Sequence, residues 1–459
     1  MLRQGTGRTT NRRSSSRAWA VLAAAGALAL SACGGGGGPK ADPPPGTTAP
    51  AVPRVQLPRL DGEELQVAAV WTGPEQANFT KVLKEFEKRT GAKVTFVPAQ
   101  DPIVTFLGTK IAGGQPPDVA LLPQVGALAA AVKNKWVQPV GPEAKAQLDA
   151  NYSDGWKKLG AVDGTQYGVY YKAANKSLIW YDAKAFEAAG VQPPKSWKEL
   201  LTVADTLSAS GTPALSVAGA DGWTLTDWFE NVYLSQAGPE KYDQLAKHQI
   251  KWTDPSVGQA LTTLAELWGR KDLLAGGASG ALATEFPKSV TQVFSGDRSA
   301  AAMVFEGDFV AVNIAQTDAQ IGKDALVFPF PAVGAKPPVV SGGDVAVALK
   351  PSKGAQALLT FLASPDAAEI QAREGGFLSP NKAVSPSAYP NDIQRGIAGA
   401  LIAAGDDFRF DMSDQAPAAF GGTPGAGEWK ALQDFLANPS DVSGTQNRLE
   451  AEAAKAYGN

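Results

Sequence analysis

Residues 65–97 read LQVAAVWTGPEQANFTKVLKEFEKRTGAKVTFV, and this stretch decides the fold class. Leu65 to Val70 is a short apolar run suited to a buried strand. Pro74 sits where a first helical turn tolerates proline, and Phe79, Val82, Leu83 and Phe86 fall at i, i+3, i+4 and i+7. Gly91 ends that helix, and Lys93 to Val97 alternates as a second strand. A second round follows, with a helix over 105–112 and an apolar strand from Asp118 to Leu122. Strand–helix alternation of this kind predicts an α/β fold with a parallel sheet. Ligands of open parallel sheets sit beyond the carboxyl ends of the strands, which points to Trp71 and Glu75 after the first strand and to Gln124 after the third. Asp118, beside two prolines, reads as a turn or helix partner instead.

Upstream lies a basic segment (Arg3, Arg8, Arg12, Arg13, Arg17) with no acidic residue, followed by an apolar run from Ala18 to Leu30. The run is too short to span a bilayer, so residues 1–32 read as a secretory signal peptide. Leu30-Ser31-Ala32 then leads into Cys33, the only cysteine in the 459 residues. The arrangement resembles the lipobox of bacterial lipoproteins, in which that cysteine is lipidated and becomes the mature N-terminus. Gly34 to Pro58 is rich in glycine and proline, a composition with little to bury. Residues 33–63 are therefore expected to be a lipidated, disordered linker, with order beginning near Glu64. The body is placed on the outer face of the cytoplasmic membrane, held by its lipid anchor.

The chain carries 42 basic and 45 acidic residues, and loss of the five signal arginines leaves about −8. Such an acidic body argues against nucleic acid as a partner. Without further cysteine it has no disulfide framework or thiolate metal site. The single histidine, His248, lies in a polar stretch. No nucleophile elbow, His-Glu-x-x-His pair or phosphate-cradling loop is present, so no metal or cofactor is expected.

Downstream, Tyr167 to Tyr171 and Ser177 to Tyr181 read as strands. Ser196-Trp197-Lys198-Glu199 is a capping box opening a helix to Leu207. Residues 219–223 form a loop before a helix starting at Thr226, and Asp254-Pro255 starts another helix. Residues 286–294 read as a helix and 300–305 as a strand that leads into Glu306-Gly307-Asp308-Phe309. The apolar strand 339–349 is interrupted by Gly342-Gly343-Asp344, and the last part of the chain is helical.

These landmarks, in order, resemble the bacterial extracellular solute-binding proteins of sugar ABC transporters, the maltose-binding-protein-like group. The resemblance rests on Lys84-Glu85-Phe86-Glu87 to Gly91; Gly113 to Val119; and Tyr170 to Gly190 with Ile179-Trp180-Tyr181. It continues through Pro194 to Leu200, Ala300 to Met303, Gly342-Gly343, and the helix 353–361 before Gly376-Phe377-Leu378-Ser379-Pro380. Arg409-Phe410-Asp411-Met412-Ser413-Asp414 is similar to the subgroup that takes α-glucosides. The resemblance implies a two-lobed periplasmic-binding-protein fold, class II-like, with discontinuous lobes joined by hinge strands. Lobe one would be 64–173 with 345–380, and lobe two 174–344 with 381–459. The crossings would lie near Tyr171 to Leu178, Ser341 to Val345 and Leu378 to Lys382. It implies a monomer that captures a carbohydrate, an oligosaccharide or α-glucoside, and delivers it to the membrane permease subunits of an ABC importer.

Sugars present C–H faces and hydroxyl rims, so a site for them uses flat aromatics beside carboxylates and amides. Trp223, Asp227 and Trp228 form the best such cluster, although tryptophans of α/β proteins also fill cores. Glu306 is assigned to the ligand and Asp308 to capping the next helix. Gly343 and Asp344 fit a hinge crossing beside the cleft, because glycine weakens a strand unless backbone or ligand approaches closely. Tyr171 either stacks on the ligand or packs. Arg409 and Asp411 enter through the subgroup, against the alternative of a surface ion pair. Two rival functions use similar residues: a secreted glycoside hydrolase, which needs two carboxylates at a set separation, and a peptide or polyamine carrier on the same fold.

Overall fold

The structure is a computed structural model that describes residues 54–99, 102–296, 299–404 and 408–458. The signal peptide, Cys33 and most of the expected linker lie outside the described residues. Twelve strands are present among the described residues. The first are β1 (Glu64–Ala69), β2 (Lys93–Pro98), β3 (Val119–Leu122), a short hairpin of β4 (Ala161–Val162) and β5 (Thr165–Gln166), and β6 (Gly168–Asn175). The remainder are β7 (Leu178–Asp182), β8 (Leu215–Ser216), β9 (Met303–Glu306), β10 (Ala325–Pro329), β11 (Val340–Ala348) and β12 (Arg409–Phe410).

Two sheets organise the body. The first runs β12-β11-β3-β1-β2, with β6 also on β11; the second runs β10-β7-β9-β8. The opening strand–helix–strand pattern is realised as read. β1 pairs in parallel with both β2 and β3, and the helix Gly73–Thr90 buries Phe79, Val82, Leu83 and Phe86 on one side. β3 is buried at every position, as a strand covered on both faces must be. The Ser196 cap also forms, its hydroxyl accepting from the Glu199 N–H at 3.3 Å, while Glu199 reaches back one residue beyond the cap and accepts from the Lys195 N–H at 2.7 Å. The architecture is the expected two-lobed α/β one.

The chain passes between the sheets at Lys176-Ser177, between β6 and β7, and again between β10 and β11. These passages are stitched to each other: the Val340 N–H donates to Ser177 Oγ at 2.8 Å. Two expectations need correction. Order starts before Glu64, because Leu60 is buried, its N–H bonds the Thr90 carbonyl, and the Val55 N–H donates to Asp366. Its partners are the end of one helix and the start of another, which supply groups a free linker lacks. The segment after Asn381 also stays with the first sheet. Asn381 donates to the Ala363 carbonyl, the Lys382 N–H to Asn151, and Ile397, Ala398 and Leu401 join the first apolar core. The last crossing therefore comes at Phe408 to Asp411, where β12 adds to β11, and not at Leu378 to Lys382.

Candidate functional site

A cavity of about 240 Å³ opens where the carboxyl ends of β1 and β3 face the second sheet's elements. Trp71, Glu75 and Gln124 line it from the first side, as the sheet rule requires. Trp223, Phe286, Phe309 and Trp429 line it from the other. Lys172, Lys176, Gly343 and Asp344 lie between, and Ser413 and Asp414 complete the rim.

The two walls differ in kind. Trp223, Phe286 and Phe309 form a triangle of aromatic rings with centroids 5.4, 5.5 and 6.0 Å apart in tilted and edge-on pairs, a rigid apolar platform. Trp71 stands opposite, held edge-on by Phe79 at 5.0 Å. Phe286 opens the helix Phe286–Phe294, and its N–H is fixed by the Asp221 carboxylate at 2.6 Å. Trp429 is 4 % exposed and its indole N–H has no hydrogen-bond partner among the described residues. A buried donor at a cavity wall is satisfied by whatever fills the cavity.

Two buried lysines supply the floor. Lys172 on β6 bonds Glu75 and lies 3.8 Å from Asp344, and its ammonium stands 5.4 Å from the Trp71 ring and 5.5 Å from that of Phe309. Lys176, just past β6, bonds Asp227 at 3.2 Å and Asp411, lies 3.7 Å from Asp414, and stands 5.6 Å from the Trp223 ring. Burial disfavours both ammonium charges, but the carboxylates outweigh it and hold both lysines protonated, Glu75 leading for Lys172 and Asp227 for Lys176. Each lysine thus carries its own counter-charge.

The acids divide in the same way. Burial lifts Asp344 to about 6 against the pull of Lys172, so it is ionised at neutral pH and able to accept hydroxyl donors. Glu306 is pushed to about 8 and Asp308 to about 7, in both cases chiefly by burial. Asp227 is raised by burial too, whereas Asp411, buried as deeply, is pulled below the usual range by Lys176. Asp411 also caps the short helix Met412–Gln415, accepting from the Asp414 N–H at 2.8 Å and from Ser413 Oγ at 2.8 Å.

Of the sequence candidates, Trp71, Glu75, Gln124, Trp223, Gly343 and Asp344 converge on this cavity. Gly343 has its reason: a β-carbon there would run into the Lys172 carbonyl on β6. The other six lie off it. Asp227 and Asp411 are fully buried and serve Lys176 from behind. Glu306 is buried beside Asp227, and Asp308 accepts from the Asn175 N–H at 2.7 Å across the crossing instead of capping a helix. Trp228 packs on Phe305 and Phe330 in the second core, because the helix Trp223–Ala246 turns that position inward. Tyr171 faces the opposite side of β6 from Lys172, and its hydroxyl donates to Gln371 at 2.7 Å. Arg409 pairs with Asp243 at 2.8 Å. The sequence reading missed Lys172, Lys176, Phe286, Phe309, Asp414 and Trp429. Strand alternation from Tyr171 could have found Lys172, since it puts a lysine on the cleft side of a buried strand.

Comparison with known proteins fits this geometry. The model of the bacterial extracellular solute-binding proteins matches residues 71–369. The chain belongs to that family. Family members act outside the cytoplasmic membrane as solute-binding components of ABC transporters, and this chain is one of them. Among relatives, it is 31 % identical to the osmoprotective compounds-binding protein GgtB of Synechocystis over 84 % of this chain and 91 % of the relative. It is likewise 31 % identical to the alpha-glucosides-binding periplasmic protein AglE of Rhizobium meliloti, over 83 % and 85 %. Among solved structures, the bacterial solute receptor AcbH matches with a TM-score of 0.73 at 20 % identity, over 86 % of this chain and 99 % of that one. RafE in complex with raffinose matches with a TM-score of 0.71 at 17 % identity over the same shares. These likenesses give the solute-binding family the two-lobed fold seen here.

Proposed function

We propose that this solute-binding protein captures a short carbohydrate of the α-glucoside class between its two lobes and hands it to the permease of an ABC importer. The observation that carries the reading is a single cavity with an aromatic platform on one wall, a tryptophan opposite, and the carboxyl groups of Glu75, Asp344 and Asp414 between them. A sugar ring sets its C–H face on such a platform while its hydroxyls donate to the carboxylates. The AglE name supports the α-glucoside choice, since that relative covers most of the chain.

The ligand contacts are Trp71, Glu75, Gln124, Trp223, Gly343 and Asp344, joined by Lys172, Phe309, Ser413, Asp414 and Trp429. The ligand favours the closed form because only closure brings both walls to it. The chain works as a monomeric carrier without turnover, lipid-anchored through Cys33. Calorimetry and thermal unfolding against maltose, trehalose, sucrose, raffinose, dipeptides and polyamines test the reading. A matching glucoside raises folding stability by about 2.7 kcal/mol at a hundred times its dissociation constant. Stabilisation by peptides or polyamines alone, or release of glucose from the disaccharides, would overturn it.

A further inference from the structure

The rim of the cavity contains a contact that leaves no room for a side chain. Gly126 lies in the first turn of the helix Val125–Lys133, whose next residues Ala127 and Leu128 belong to the first core. A β-carbon on Gly126 would collide with the backbone carbonyl of Ala416, a residue of the second core. The atom struck is backbone, so no rotamer change relieves it. Gly422, a few residues further on, makes a softer approach across the same rim, its β-carbon position falling on the movable end of the Gln124 side chain. Both contacts join segments that line the cavity, Gln124 on one side and Ser413-Asp414 on the other. Glycine is also a poor choice within the alanine-rich sequence VGALAAAVK, where alanine favours the helix. Local stability therefore argues against this glycine, and the approach of the other lobe argues for it.

We propose that Gly126 determines ligand affinity by letting the two lobes meet backbone to backbone, so that any side chain there props the cavity open. The inference rests on the carbohydrate reading only for the identity of the ligand, since closure itself is measured without one. Gly126→Ala keeps each lobe folded, with a thermal midpoint no lower than that of the parent, and weakens saccharide binding at least tenfold. Gly399→Ala, at a helix position with open space around the glycine, serves as the control: its midpoint is likewise no lower than the parent's, and saccharide binding is unchanged.

Closure is read separately by disulfide trapping in the full chain. Cys33→Ser removes the native thiol, and Gln124→Cys with Gly422→Cys places a pair across the rim. Under mild oxidant, the pair closes at least tenfold more slowly with Gly126→Ala than with Gly126, with no saccharide present. Equal rates, or cross-linking absent from both proteins, overturn the inference whatever the calorimetry gives. A parent that binds no saccharide but shows the rate difference overturns the carbohydrate reading alone.

Discussion

Replacing Lys176 with methionine tests how the cavity floor is held. The ammonium is shared by Asp227 at 3.2 Å and Asp411, whose side chains have no exposure to solvent. Methionine keeps most of the volume and removes the charge. Taking one partner from a buried ion pair typically costs about 3–5 kcal/mol, because the remaining charge stays desolvated. Most of that loss falls on Asp411. Burial raises Asp227 against the pull of the lysine, whereas Asp411 is held below its ordinary 3.8 by that lysine despite burial. A carboxyl with a lowered folded pKa stabilises the protein above its unfolded value and loses that stabilisation as pH falls through the folded one. The unfolded chains titrate alike, so the gap between parent and Lys176→Met is widest at high pH and narrows as falling pH protonates the unpartnered Asp411 of the variant, while in the parent the lysine still holds that carboxylate charged. Urea unfolding at pH 7, 5 and 3.5 measures it. A difference under about 1 kcal/mol at pH 7, or one that stays constant to pH 3.5, would refute the claim that Asp411 is held charged by this lysine.

Three further outcomes are expected. Trp223→Ala removes the central ring of the platform and weakens glucoside binding about 10- to 100-fold by calorimetry, while Trp228→Ala, in the second core, costs about 3–5 kcal/mol of stability in denaturant unfolding. On the proposed reading Asp344, pushed up to about 6 by burial, accepts sugar hydroxyls as a carboxylate, so glucoside affinity is expected to fall as pH drops from 7 to 5, by up to about tenfold. Asp344→Asn flattens that profile. Asp366→Ala removes the acceptor of the Val55 N–H and the partner of Arg89, so hydrogen exchange at Val55 and Leu60 speeds up while calorimetry shows unchanged glucoside affinity.

The parallel half of the first sheet was legible because hydrophobic period and breaker residues declare each element locally, and the sheet rule then places Trp71, Glu75 and Gln124 without tertiary knowledge. The acids were harder. Asp227, Glu306 and Asp411 gather around Lys176 off the cavity, and a sequence does not distinguish a carboxylate that faces a ligand from one that faces a buried lysine. That distinction depends on Lys176, which reads as a solvated charge until both sheets surround it. Phe286, Phe309 and Trp429 look like core residues at helix starts for the same reason. The last crossing was misplaced because Phe377 to Pro380 is an apolar turn like a hinge, while the later return at Phe408 to Asp411 is declared only by its pairing with β11.

The ammonium of Lys176 is gripped by residues from the middle and the far end of the chain, and Trp429 closes the same cavity from near the C-terminus. A polypeptide threading out of the cell N-terminus first would present Trp71 and Gln124 to solvent long before Asp411 or Trp429 arrived. The proposed recognition surface thus stays one-sided until residues 411–429 have followed residues 71–124 out.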